Sequence, residues 1–193
     1  MLPILVCAAL MPQSSGDTAF DIMFGSRAYG ADDWAPLEDQ WSYGLRISRR
    51  ISSSDFGWEL GLSLSSASEV LSDGVGVYDF ELEFVELSGG LRWMPQLESP
   101  LQPYFATGVN WQDLELTVTD LFNGEQGTAG ESSTGLYASA GLALSTGNIW
   151  RFGVDYRRVF GTNIETNGVE GGVDYGQFGA NFSAPSLDSV SEF

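Results

Sequence analysis

The run Trp150-Arg151-Phe152-Gly153-Val154-Asp155-Tyr156-Arg157 separates into two alternating sets. Trp150, Phe152, Val154 and Tyr156 are apolar or aromatic, while Arg151, Gly153, Asp155 and Arg157 are charged or glycine. A period of two marks a strand with two different faces. A soluble sandwich strand would hide its apolar face in a core and show ordinary polar residues to water. This apolar face carries rings at both ends, and the opposite face mixes Arg, Asp and Gly. Lipid outside and a narrow, ion-paired interior suit that pattern, as in a small transmembrane β-barrel. An amphipathic strand of a soluble sheet shows the same alternation, so the rest of the chain has to decide.

Seven further segments alternate in the same way, namely Phe20–Tyr29, Trp41–Ser48, Phe56–Leu64, Tyr78–Trp93, Tyr104–Val118, Leu136–Leu144 and Val173–Phe182. With the opening stretch as the seventh in order, this predicts an all-β, eight-stranded antiparallel up-and-down transmembrane barrel over residues 19–182. An even count of strands, most near nine to eleven residues, is what a tilted crossing needs. The phase slips at Val85 and again near Gln112, which predicts β-bulges, since one extra residue flips a strand's faces. Connections around Ser65–Gly76, Asp120–Thr134 and Gly161–Gly171 read as long acidic loops. Those at Ser52–Asp55, Met94–Gln102 and Thr146–Asn148 read as compact turns. Sorting of loop lengths by side is characteristic of an outer-membrane barrel with both termini in the periplasm. Residues 1–18 read as a signal peptide: Leu2–Met11 has the length of its apolar core, although a basic start is missing. Residues 183–193 read as a polar tail.

The aromatics sort by height. Phe20, Trp58, Trp93, Tyr104 and Trp150 fall toward the periplasmic end, and Tyr29, Trp41, Tyr43, Trp111 and Tyr175 toward the outer end. Two girdles of this kind are expected where amphipathic rings sit at headgroup depth. The formal charge of −18 argues against nucleic acid, because no basic surface displaces counterions. Absence of histidine excludes His-based catalytic triads and metal sites, and the single Cys7 forms no internal disulfide. No cofactor and no enzymatic activity are expected. The loop carboxylates Asp32, Asp33, Glu38, Asp39, Glu69, Asp73, Glu125, Glu131, Glu165 and Glu170 suggest divalent cations as surface partners, with no spacing of a calcium loop.

Leu87-Ser88-Gly89-Gly90-Leu91-Arg92-Trp93, followed by Pro103-Tyr104-Phe105-Ala106-Thr107-Gly108-Val109, together with the eight alternating segments and the signal-like start, resembles the small outer-membrane barrels of the OmpA transmembrane-domain and OmpW type. The resemblance implies a monomer in the outer membrane of a Gram-negative-type bacterium. Its partners would be membrane lipid, lipopolysaccharide and the barrel-assembly machinery, the last reading terminal-strand aromatics such as Phe178 and Phe182.

An eight-stranded barrel is just wide enough for side chains to fill it, so a wide pore is excluded. Inward candidates are Arg46, Glu59, Glu81, Glu83, Arg92, Arg151, Asp155 and Arg157, which must neutralise one another. A structural or surface-interaction role follows. The alternatives are a narrow ion-conducting barrel and a soluble lipocalin-like barrel for a small apolar ligand; the latter requires an apolar interior. Hairpin arithmetic about Ser53 predicts Arg46 and Glu59 as direct cross-strand partners.

Overall fold

A computed structural model describes residues 18–29, 39–51, 54–72, 74, 76–146, 150–161, 163–166, 169–172 and 175–184. The segment read as a signal peptide, with Cys7 and apart from Thr18, the carboxylates Asp32, Asp33, Glu38 and Asp73, the Thr146–Asn148 turn beyond Thr146 itself, and the segment read as a tail beyond Ala184 lie outside the described residues.

Among the described residues ten strands form: β1 Thr18–Tyr29, β2 Asp39–Arg50, β3 Phe56–Ser72, β4 Val77–Trp93, β5 Leu101–Asp120, β6 Gln126–Thr146, β7 Trp150–Phe160, β8 Asn163–Thr166, β9 Val169–Gly172 and β10 Tyr175–Ala184. Eight close into an antiparallel barrel in the order β1-β10-β7-β6-β5-β4-β3-β2, and β8 and β9 make a separate hairpin. The segment read as a loop over Gly161–Gly171 therefore contains most of that hairpin.

The strands are unequal. β1, β2, β7 and β10 have 12, 12, 11 and 10 residues, enough for one crossing. β3, β4, β5 and β6 have 17, 17, 20 and 21, so one side of the barrel rises well beyond the other as a four-stranded wall. The long loops expected at Ser65–Gly76 and Asp120–Thr134 are mostly this wall: β3 runs on to Ser72, and β6 begins at Gln126.

The bulges expected at Val85 and Gln112 do not occur. β4 pairs β3 without interruption from Trp93↔Phe56 to Val77↔Ser72, and pairs β5 without interruption from Trp93↔Phe105 to Tyr78↔Asp120. What changes is the surroundings. Along the ladder row Leu64↔Val85↔Asp113↔Ser132 the chemistry of both faces inverts while the strands keep their phase. On one side of the row the outward residues are apolar and exposed, such as Leu60, Leu87, Val109 and Leu136, and the buried inward ones include Glu59, Glu86, Asn110 and Ser139. On the other side Glu81, Glu83 and Glu115 point outward, and Leu82, Phe84 and Leu114 are buried inside.

Candidate functional site: the charged interior and the wall above it

Inward parity collects the buried charges. Among the described residues four arginines, Arg27, Arg46, Arg92 and Arg157, face four carboxylates, Asp21, Glu59, Glu86 and Asp155, all at most 9% exposed. The two sets balance one to one. They form two tiers. In the tier nearer the short turns, Asp21 accepts from Arg46 Nε at 2.9 Å and from Arg92 at 3.5 Å. Arg46 continues to Asp155 at 2.8 Å and Arg92 to Glu59 at 3.5 Å, while the Tyr137 hydroxyl donates to Glu59 at 2.9 Å. In the tier nearer the wall, Glu86 is shared by Arg157 at 2.8 Å and Arg27 at 3.1 Å. Arg27 also donates to the hydroxyls of Ser65 and Ser63 at 3.1 and 3.2 Å, and Arg157 to Ser88 at 3.2 Å.

All four guanidinium groups also face a ring, Arg46 more distantly at 5.6 Å from the centroid of Tyr104. Arg92 lies 3.8 Å from the centroid of Tyr104, Arg157 3.9 Å from Tyr137 and Arg27 4.0 Å from Phe84. Cation–π attraction strengthens when the cation is desolvated. Glycine makes room for two of the rings. A Cβ on Gly141 would run into the Tyr104 ring, and one on Gly90 into the Tyr137 hydroxyl and the Thr107 carbonyl. Two buried apolar clusters flank the charged interior: Met94, Tyr104 and Ala143 at the short-turn end, and Leu82, Phe84, Leu114 and Val159 toward the wall.

The structure therefore gathers Arg46, Glu59, Arg92, Asp155 and Arg157 in the interior. Arg151 lies in β7, with its side chain outside the described residues. Glu81 and Glu83 are corrected: both are exposed on the outer face, because the interior at their height is apolar and the exterior is polar. The direct Arg46–Glu59 pair is also corrected. Ile51 N–H bonds the Phe56 carbonyl at 2.8 Å, which centres the turn later than Ser53, so Arg46 pairs Gly61 and Glu59 pairs Ser48. Tyr104 is not at the interface; it is buried at 2% exposure as a platform for Arg92. Phe20, Trp41, Tyr43 and Trp111 are exposed on the outer face, and Trp58 and Trp93 are half-buried there, with Trp93 stacked on Phe105 at 5.7 Å. The side chains of Tyr29, Trp150 and Tyr175 are outside the described residues. Sequence reasoning missed Asp21, Arg27 and Glu86. Asp21 carried a usable signal, since it alternates with Phe20 and Ile22; so did Glu86, which shares the parity of Arg92 on β4 and alternates with Leu87.

An apolar exterior around a neutralised polar interior, with strands of crossing length, defines a membrane-spanning β-barrel. The chain belongs to the family described as the outer membrane protein beta-barrel domain, whose profile matches residues 2–184. It is a protein of the bacterial outer membrane. Its fold is similar to that of OprG from Pseudomonas aeruginosa, at 14% identity and a TM-score of 0.60, covering 91% of this chain and 99% of that one. It is also similar to Ail of Yersinia pestis in complex with the heparin analogue sucrose octasulfate, at 15% identity and a TM-score of 0.55, covering 88% and 99%. A major outer membrane protein of Thermus thermophilus follows at 14% and 0.53, covering 86% and 98%. No curated protein matches the chain significantly.

Proposed function

We propose that this barrel is a closed platform with a structural and surface-contact role, holding the β3–β6 wall outside the cell. The observation that carries it is the pairing of a buried, charge-paired interior with a one-sided sheet far longer than a crossing needs. In outer-membrane barrels the short turns lie in the periplasm and the long connections outside, which puts the wall in the external medium. Membrane lipid surrounds the apolar belt. Lipopolysaccharide and the assembly machinery are the partners that the location favours, and a monomer fits a barrel closed on itself. Divalent cations gain no support, since among the described residues no three acidic side chains gather to hold a metal. The heparin analogue bound by Ail is not a guide to a ligand here, because residues 66–83 and 113–132 hold five acidic residues each and no basic one.

The test has two arms. Purified barrel in a planar bilayer is expected to give no conductance steps, and regular steps would favour the narrow ion-conducting reading. In a Cys7→Ser background, Phe122→Cys at the wall's tip is expected to react with a membrane-impermeant maleimide on intact cells. Labelling only after lysis would reverse the orientation.

A further inference from the structure

The two hairpins of the wall end side by side, and their tips are held. The Leu121 amide donates to the Val77 carbonyl at 2.9 Å, joining β5's tip to the start of β4. The Asp120 carboxylate accepts from the Phe122 amide at 2.8 Å, the Asn123 side chain accepts from the Glu125 amide at 2.8 Å, and Gly124 supplies the positive φ of 75° that closes the turn. What this turn displays is apolar. Phe122 is 77% exposed and Leu121 53%, and Val70 and Leu71 on the neighbouring hairpin are exposed as well. Asp120 lies nine positions beyond Trp111, the last outward aromatic of β5. At about 3.3 Å per residue that is roughly 30 Å along the strand. The tip is thus beyond the protein's own lipid, and apolar side chains kept in water on a braced turn mark a contact surface.

Charge selects what covers it. On the wall's outer face Asp79, Glu81 and Glu83 succeed one another on β4, with Glu115 directly opposite Glu83 and Asp113 next to Val85. Like charges directly opposite destabilise a sheet. Such a face repels sulfated glycans, anionic membranes and a second copy of a chain carrying −18. We propose that the tip docks a cationic protein segment, whose apolar side chains cover Leu121 and Phe122 while its Arg or Lys side chains reach the carboxylates below. Alternate residues of an extended segment recur about every 6.8 Å, the same repeat as Asp79, Glu81 and Glu83 on their strand. This proposal rests on the surface-contact reading above.

The test uses the full barrel in nanodiscs of zwitterionic lipid and a fluorescent twelve-residue Arg/Leu peptide, four Leu followed by Arg alternating with Ser, with empty nanodiscs as background. Arg/Ser and Glu/Leu peptides of equal length are the comparators. Saturable binding of the Arg/Leu peptide is expected, with the Arg/Ser peptide at least tenfold weaker and the Glu/Leu peptide unbound. Leu121→Ser combined with Phe122→Ser should lose at least tenfold, and Glu83→Gln with Glu115→Gln should weaken binding and flatten its salt dependence. Both double variants are checked for the unboiled gel shift of a folded barrel. Undiminished binding by the double-serine variant, equal binding of the Glu/Leu peptide, or no binding at all would each overturn the proposal. If Phe122→Cys is labelled on intact cells while the peptide fails, the partner chemistry falls and the display of the wall stands; if that cysteine is not labelled, both fall.

Discussion

Two regions of the same strands obey opposite rules. Between the girdles, β4 presents Leu87 and Leu91 outward and Glu86, Ser88 and Arg92 inward; a few residues on, it presents Glu81 and Glu83 outward and Leu82 and Phe84 inward. Lipid outside one part and water outside the other account for the whole difference. In the membrane an apolar exterior costs nothing, and the interior must hold its charges in pairs. In water the exterior must be polar, and burying Leu82, Phe84 and Leu114 stabilises the wall as it would in a soluble barrel. Parity tells which side a residue faces, but not which side is wet.

The largest effects should come from the charged tiers. Glu86→Gln leaves Arg27 and Arg157 without their shared carboxylate in a site of 1% exposure or less for Glu86, and should cost about 3–5 kcal/mol in detergent–urea unfolding. A loss under about 1 kcal/mol would mean that water solvates this tier. Leu114→Ala, in the wall's apolar core, should cost about 2–4 kcal/mol by opening a cavity. Were that core a disordered loop, the substitution would be silent.

A sharper contrast uses one substitution on each side of the row. Ala140 and Thr128 are both exposed on the outer face of β6. Ala140→Arg, near the middle of the apolar belt, should destabilise the barrel in lipid by about 2–4 kcal/mol, and Thr128→Arg by less than about 0.5. Equal costs would erase the distinction between the regions. The smallest effect has the opposite sign: Glu83→Gln, which removes one of two directly opposed carboxylates, should stabilise by about 0.2–1 kcal/mol at low salt.

The barrel itself was legible because every crossing segment alternates, as Trp150–Arg157 does, and that period survives whatever lies on either side. The interior was only partly legible. Arg46, Glu59, Arg92, Asp155 and Arg157 share the parity of the small residues around them, whereas Glu81 and Glu83 were placed inside because charge was equated with the interior at every height. The same assumption turned a change of solvent into two bulges and a strand extension into loops. Tyr104 was misplaced for another reason: an aromatic near a strand end fits a girdle as well as a lumen, and only the gap left by Gly141 distinguishes them. The register of β2 against β3 depended on where a five-residue connection bends, which hydrogen bonding at Ile51 and Phe56 decides and composition does not.

The central claim is that β4 crosses the boundary row in phase, and spin labels placed singly along it from Asp79 to Leu91 test this most directly. Reconstituted in lipid, labels at positions 87 and 91 should be relaxed by oxygen and those at 79, 81 and 83 by a water-soluble nickel chelate, while labels at 82, 84 and 86 should be reached by neither. If instead positions 82 and 84 are open to the chelate and 81 and 83 are shielded, the strand slips at Val85 and the inverted wall does not exist.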